Sequence, residues 1–416
     1  MTANLRRGAA NLAAAGVSLA LVLLVAEGVS RALEARQRGG KEDRAREHYV
    51  ASDPLLGWRK VPGARGVYRR REFETEVRIN AMGMRDPERP PETPAAGLRL
   101  LALGDSFVEG YTVQADATMT RLLEARLQAG ARCRVEVLNG GTSGWSTDQE
   151  YLYYREQAGE LGARLVLLFL YYNDVLANVQ QDYWGMPKPM LEEKEGRLVI
   201  APRPTPRPGV RERQAARSGS PRETEAQNGE ARPLLRSALL DLVRDRLAQG
   251  RPRLYQRLAG WGPFPRLEPE RPPTELLVYR RQPPPLLQFA WRRTLRILEA
   301  LRQEVSGRGE RFVLVYVPAA FEVDARTWEL TRFRYGLDEA EWDRTAFAQR
   351  VAGAGRRNGF EVLDLTPALR AAHRRGAVYL TYDPHWNTRG HAAAAQAVAE
   401  RLRADGHLVC RGAPGE

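Results

Sequence analysis

The chain has 416 residues, enough for one large buried core or two smaller ones, and its 43% hydrophobic and 28% charged content is globular. Its formal charge of +13 raises the question of nucleic acid, but the basic excess is almost all Arg and spread along the chain. No zinc-finger spacing, Arg-rich recognition helix or RNP-like aromatic pair accompanies it, which argues against a nucleic-acid partner. The two cysteines, Cys133 and Cys410, lie outside any Cys-x-x-Cys or Cys/His cluster, which argues against structural zinc; they read as independent thiols unless the domain is exported.

Residues Ala9 to Ala26 are apolar apart from Asn11, Gly16 and Ser18. At ~1.5 Å per residue the run nearly matches a ~30 Å hydrocarbon core. Arg6 and Arg7 precede it, no cysteine follows closely, and the small-x-small cleavage pattern is poor. The segment reads as an uncleaved signal anchor within residues 1–42. Arg31, Arg36, Arg38 and Lys41 follow it and argue for retention by the positive-inside count, yet long domains translocate regardless of such charge. The expectation is a single-pass inner-membrane protein with its main domain outside the cytoplasm.

Residues 43–97 form a small β-rich element: alternation in Phe73-Glu74-Thr75-Glu76-Val77-Arg78-Ile79 predicts a strand, and Pro-rich residues 87–94 lead out of it. From 98 the pattern becomes β-α-β-α-β. Leu98–Leu103, Val135–Leu138 and Leu165–Tyr171 read as strands, and Ala117–Gln128 and Thr147–Ala158 as helices. Residues 176–285 read as an insertion, either a lid or substrate wall or a surface excursion. Within it 201–233 are too poor in large apolar residues to offset ordering entropy, Leu234–Leu247 reads as a helix, and 262–285 are again Pro-rich. The α/β pattern resumes over 286–406 with a helix at Leu287–Val305, a strand at Phe312–Val317, a helix at Glu341–Arg357, a strand at Phe360–Leu365, and helices at Thr366–His373 and about 389–403. Largely apolar strands alternating with amphipathic helices predict a doubly wound parallel α/β sheet over 98–175 and 286–406.

The chemistry gathers at strand ends. Leu100–Leu103 stops at Gly104-Asp105-Ser106, which puts a serine at the carboxyl edge of a strand, where open α/β sheets bind ligands. A serine nucleophile needs a base. His385 is the candidate, with Asp383 two residues before it and Pro384 pushing Asp383 towards extended geometry, in which both side chains share a side. His391, opening the last helix, reads as structural. Acyl chemistry also creates an oxyanion. Asn139 to Gly144 follow the second strand and Tyr172-Asn173-Asp174 the third, offering the N–H groups of Ser106 and Gly144 and the Asn173 amide on one rim. Ser106 lies in Gly-Asp-Ser-Phe-Val and lacks a G-x-S-x-G elbow.

Gly104-Asp105-Ser106, Asn139–Gly144, Asn173-Asp174 and Asp383-Pro384-His385 together resemble the four blocks of the SGNH (GDSL) hydrolase superfamily. A single residue between Asp383 and His385, with Trp386 following, looks like the membrane-associated branch that includes the alginate O-acetylation proteins. The resemblance implies a flavodoxin-like SGNH fold and a Ser106–His385–Asp383 triad with Ser106, Gly144 and Asn173 as oxyanion hole. It implies a membrane-anchored esterase or acyltransferase for O-acyl esters of envelope glycans, with no metal or cofactor. A second expectation, of another class, is a non-catalytic carbohydrate-binding or envelope-assembly protein on the same scaffold.

Overall fold

The computed structural model describes residues 18, 21–32, 49–70, 72–90, 97–183, 185–202, 237–258, 269–408 and 410. The chain divides into two compact units, 1–42 with 221–270, and 43–220 with 271–416.

In the first unit, residues 21–32 are helical and the Ala238–Gly250 and Pro252–Leu258 helices follow one another. Glu27 accepts the Ser237 hydroxyl at 2.8 Å and the Leu239 N–H at 2.9 Å, placing a carboxylate at the amino end of the Ala238–Gly250 helix, where the helix dipole favours it. No helix among the described residues is long and apolar enough to cross a membrane. Most of the apolar run expected to span one, and most of the segment 201–233, lie outside the described residues.

The second unit is built on a five-stranded parallel sheet of β5 (Leu98–Leu103), β6 (Val135–Asn139), β7 (Leu165–Leu170), β12 (Arg311–Tyr316) and β13 (Val362–Asp364), in the order β13-β12-β7-β5-β6. Numbered along the chain this is 2-1-3-4-5, the flavodoxin-like order, whose switch point lies between β5 and β7. Strands β5, β6 and β7 are buried at every position, as a sheet covered on both faces requires. The polar exception in β5, Arg99, faces Glu136 of β6 in register and pairs with it at 2.7 Å, fully buried, at the edge away from the serine. The Met119–Gln128 helix packs against Thr388–Ala404, and Thr147–Leu161 against Pro285–Gly307, as right-handed crossovers dictate.

Departures from the predicted elements have local causes. The helix expected from Glu341 begins at Ala346, because the Asp343 carboxylate accepts the Thr345 N–H at 2.8 Å and its hydroxyl at 2.7 Å, holding a turn. The edge strand β13 is shorter than Phe360–Leu365. The stretch 176–202 contains two unpredicted hairpins, β8 (Asp182–Tyr183) with β9 (Met186–Pro187), and β10 (Leu191–Lys194) with β11 (Arg197–Ile200). Cys133 and Cys410 are not independent thiols: they form a disulfide, with Cα atoms 5.9 Å apart. The fold brings the start of β6 and the end of the chain together, which spacing in sequence cannot reveal.

The N-terminal β element is two antiparallel hairpins, β1 (Val50–Asp53) with β2 (Gly57–Lys60), and β3 (Arg65–Arg69) with β4 (Glu74–Arg78). Leu56 and Trp58 enter the main core, while Tyr49, Tyr68, Val77 and Ile79 form a smaller core with Tyr111.

Candidate active site

Ser106 opens a four-residue helix, Ser106–Glu109, directly after β5, with Asp105 as N-cap accepting the Phe107 N–H at 2.9 Å. Burial pushes the Asp105 carboxyl up to about 6, against the opposing effect of that N–H and of His385. Three segments converge on the turn.

The first carries the histidine. His385 Nε2 lies 2.6 Å from Ser106 Oγ, and His385 Nδ1 is hydrogen-bonded to Asp383 Oδ1. A carboxylate only accepts, so Nδ1 carries the proton and Nε2 presents its lone pair to the serine hydroxyl, the tautomer a general base requires. Asp383 Oδ1 also accepts the His385 backbone N–H at 3.0 Å. This is an Asx turn rather than the extended geometry read from Pro384, and it brings the carboxylate onto the ring from the same loop. Burial raises the Asp383 pKa, but the hydrogen bonds and charge of His385 outweigh it and hold the carboxyl below its ordinary value. Phe107 packs on the His385 ring at 4.8 Å and on the fully buried Trp386 at 4.9 Å, fixing the imidazole from behind.

The second is the loop after β6. Its N–H groups can be accounted for one by one. Gly140 donates to Ala102 O at 2.8 Å, Gly141 to Asn139 Oδ1 at 3.2 Å, Thr142 to Gly104 O at 3.0 Å, Ser143 to Glu109 Oε2 at 2.6 Å, and Trp145 to Thr142 O at 3.0 Å. Among the described residues the Gly144 N–H is left without a protein acceptor, and so is that of Ser106 at the first helical position. Gly144 sits at φ +79°, and a Cβ on Gly141 would stand 2.4 Å from the Glu109 nitrogen, so the loop packs on the Ser106 turn only as glycine.

The third follows β7. Asn173 Nδ2 donates to the Tyr183 hydroxyl of β8 at 3.0 Å, and Asn173 Oδ1 is buried with no hydrogen-bond partner among the described residues. A half-turn about χ2 would pair the oxygen with the Tyr183 O–H and free both amide hydrogens. Asp174 turns inward, accepting the Tyr171 N–H at 2.8 Å, and burial raises its carboxyl well above the ordinary range.

Sequence reading gave no site role to Tyr111 and left that of the N-terminal β element unassigned. The Tyr111 hydroxyl lies 3.1 Å from Asp383 Oδ2 and 2.9 Å from His385 Nδ1. Trp58 Nε1 donates to Ser143 O at 3.2 Å, Lys60 Nζ donates to Gly141 O, and the Arg85 guanidinium donates to the carbonyls of Gly110 and Val113, each at 2.7 Å. Burial pushes the Lys60 ammonium down to about 8. These partners lie far apart in sequence, and no local pattern marks them. His391 stands outside the array: buried, it accepts the Met119 N–H on Nδ1 at 3.2 Å, and burial pushes it down to about 3.

A family model described as an SGNH hydrolase-like domain of the acetyltransferase AlgX matches residues 281–414, the part that carries Asp383 and His385. The segment 281–414 is thus an SGNH hydrolase-like domain near the AlgX branch. The SGNH domain is that of an ester hydrolase or acetyltransferase. The loops that carry Ser106, Gly144 and Asn173 lie N-terminal to the matched segment and follow strands of the same parallel sheet. No curated protein matches the chain. Among solved structures, a member of the lipolytic protein G-D-S-L family from Veillonella parvula DSM 2008 is 12% identical, with 74% of this chain and 98% of that chain covered at a TM-score of 0.34. The acetyl xylan esterase AlAXEase is 13% identical, with 73% and 100% covered at 0.36. A catalytic mutant of Axe2, an acetylxylan esterase from Geobacillus stearothermophilus, is 13% identical, with 75% and 95% covered at 0.36.

Proposed function

We propose that this protein is a serine esterase or O-acyltransferase that acts on O-acyl, above all O-acetyl, esters of cell-envelope glycans, held at the cytoplasmic membrane by its N-terminal segment with the catalytic domain outside. The observation that carries the chemistry is the unbroken chain from Ser106 Oγ to His385 Nε2 and from His385 Nδ1 to Asp383.

Ser106 Oγ attacks the acyl carbonyl while His385 Nε2 takes its proton, and Asp383 stabilises the imidazolium. The carbonyl oxygen becomes an oxyanion, for which the unengaged N–H groups of Ser106 and Gly144 and the Asn173 amide are the donors; each such donor is worth ~3 kcal/mol in the transition state. The imidazolium returns the proton to the leaving alkoxide, the C–O bond of the ester breaks, and the acyl group stays on Ser106. In the second half His385 takes a proton from water or from a sugar hydroxyl, giving a free acid or a new ester.

The setting rests on different observations. The Cys133–Cys410 disulfide suits an oxidising compartment. The apolar run behind Arg6 and Arg7 suits a signal anchor. Labelling of the full chain by a fluorophosphonate, lost in Ser106→Ala, is the expected result; a folded wild type that takes no label overturns the catalytic reading. Acetate against acetylated sugar, measured with glycan acceptors present, separates esterase from transferase.

A further inference from the structure

The histidine loop does not satisfy its own backbone. Within it Leu380 donates its N–H to His385 O at 3.0 Å, but the N–H groups of Thr381, Tyr382 and Asp383 donate to no carbonyl of the loop. All three are taken by one side chain from 309 to 311 residues away: Glu72 accepts Thr381 N–H on Oε1 at 2.7 Å, and Tyr382 and Asp383 N–H on Oε2 at 2.7 and 3.2 Å. Three successive amides converging on one carboxylate make an anion nest, in which the parallel N–H dipoles repel one another unless a negative charge holds them together. Charge-assisted bonds of this kind are roughly twice as strong as neutral ones. Thr381 and Tyr382 are exposed, so little side-chain burial holds this stretch instead.

Glu72 stands in the connection between β3 and β4, closed by the Arg70 N–H donating to Phe73 O at 2.9 Å. The same hairpin reaches the site by a second route, since Phe73 and Tyr68 pack on the Tyr111 ring at 5.7 and 5.0 Å, and the Tyr111 hydroxyl touches both Asp383 and His385. The hairpin therefore grips the Asp383–His385 segment by its main chain through Glu72 and by its side chains through Tyr111.

We propose that Glu72 is a positioning residue of the Ser106–His385–Asp383 array, setting the loop so that His385 Nε2 meets the serine hydroxyl. The proposal rests on reading that array as an acyl-transfer triad. Glu72 contributes no atom to the reacting groups; it acts through the Asp383 main chain. Its loss releases the nest and lets the imidazole drift from Ser106, slowing acylation without changing the surface that receives the ester.

The test is steady-state turnover of p-nitrophenyl acetate and the rate of fluorophosphonate labelling for the full-length wild type, Glu72→Ala, Glu72→Gln and Ser106→Ala, with melting curves for each. Glu72→Ala should lower kcat and the labelling rate ~10- to 100-fold, the range for a misplaced catalytic group, with KM unchanged. Glu72→Gln keeps one acceptor oxygen but turns an N–H₂ towards the nest, so it should fall between Ala and wild type. An active wild type with both Glu72 variants at wild-type kcat overturns this proposal alone, and so does a loss that appears in KM. An inert wild type removes the triad reading and this proposal with it. Should Glu72→Ala fail to fold, the folded Gln variant decides by the same kcat criterion.

Discussion

Asp383 Oδ1 binds His385 twice, through the backbone N–H at 3.0 Å and through the ring Nδ1. One carboxylate oxygen therefore sets both the path of the main chain and the tautomer of the base. An Asn at this position can still accept the backbone N–H and keep the turn, but it cannot stabilise an imidazolium. Asp383→Asn should melt close to wild type while kcat for an acetyl ester falls on the order of 10³–10⁴-fold. Equal losses of kcat and folded protein would point to a role in the turn alone.

Tyr111 offers a hydroxyl to the other carboxylate oxygen and sits in the small core with Tyr68 and Val77. Its own pKa is raised well above the ordinary value, first by burial and then by Asp383, so it remains a neutral donor. Tyr111→Phe keeps the ring contacts and deletes the hydrogen bonds. A hydrogen bond to a charged group is worth about 1.5–3 kcal/mol, so kcat should drop roughly ten-fold or more. Kinetics and a melting curve on the same sample check it.

The buried His391 gives stability an acid limb. Its folded value is about 3 against an ordinary 6.5, so between those values the unfolded chain binds more protons than the folded one. The contribution is complete above 6.5 and is lost as pH falls through that window towards 3. His391→Asn can present an amide oxygen to the Met119 N–H without titrating. Urea unfolding at several pH values from 7 to 4 should show a shallower loss in the variant than in wild type.

The disulfide closes a loop with a sequence separation of 277 residues. Reduction, or Cys133→Ala, should lower stability by about 2–4 kcal/mol. Melting curves with and without reductant, together with a thiol titration that finds no free cysteine in the native chain, check this.

Sequence alone determined the parts of this protein that are short-range. An apolar run broken by Gly104-Asp105-Ser106 is a strand ending in a polar turn in any α/β context, and Asp383 reaches His385 because only Pro384 separates them. Strand-helix alternation predicts a doubly wound parallel sheet, and in the observed 2-1-3-4-5 order the loops after β5, β6 and β7 come to one edge. The hairpins of 176–202 escaped notice because their strands are two to four residues long and half exposed, too short for a period to register.

Tertiary structure alone decided what holds the site in place. Glu72, Lys60, Trp58, Arg85 and Tyr111 bind main-chain or side-chain atoms far from them in sequence, and Cys133 meets Cys410 across most of the chain. The contacts of Glu72, Lys60, Trp58 and Arg85 each depend on where a backbone N–H or C=O is left without a partner after the sheet and helices have formed. That remainder is a property of the assembled fold, so no pattern of neighbouring residues encodes it.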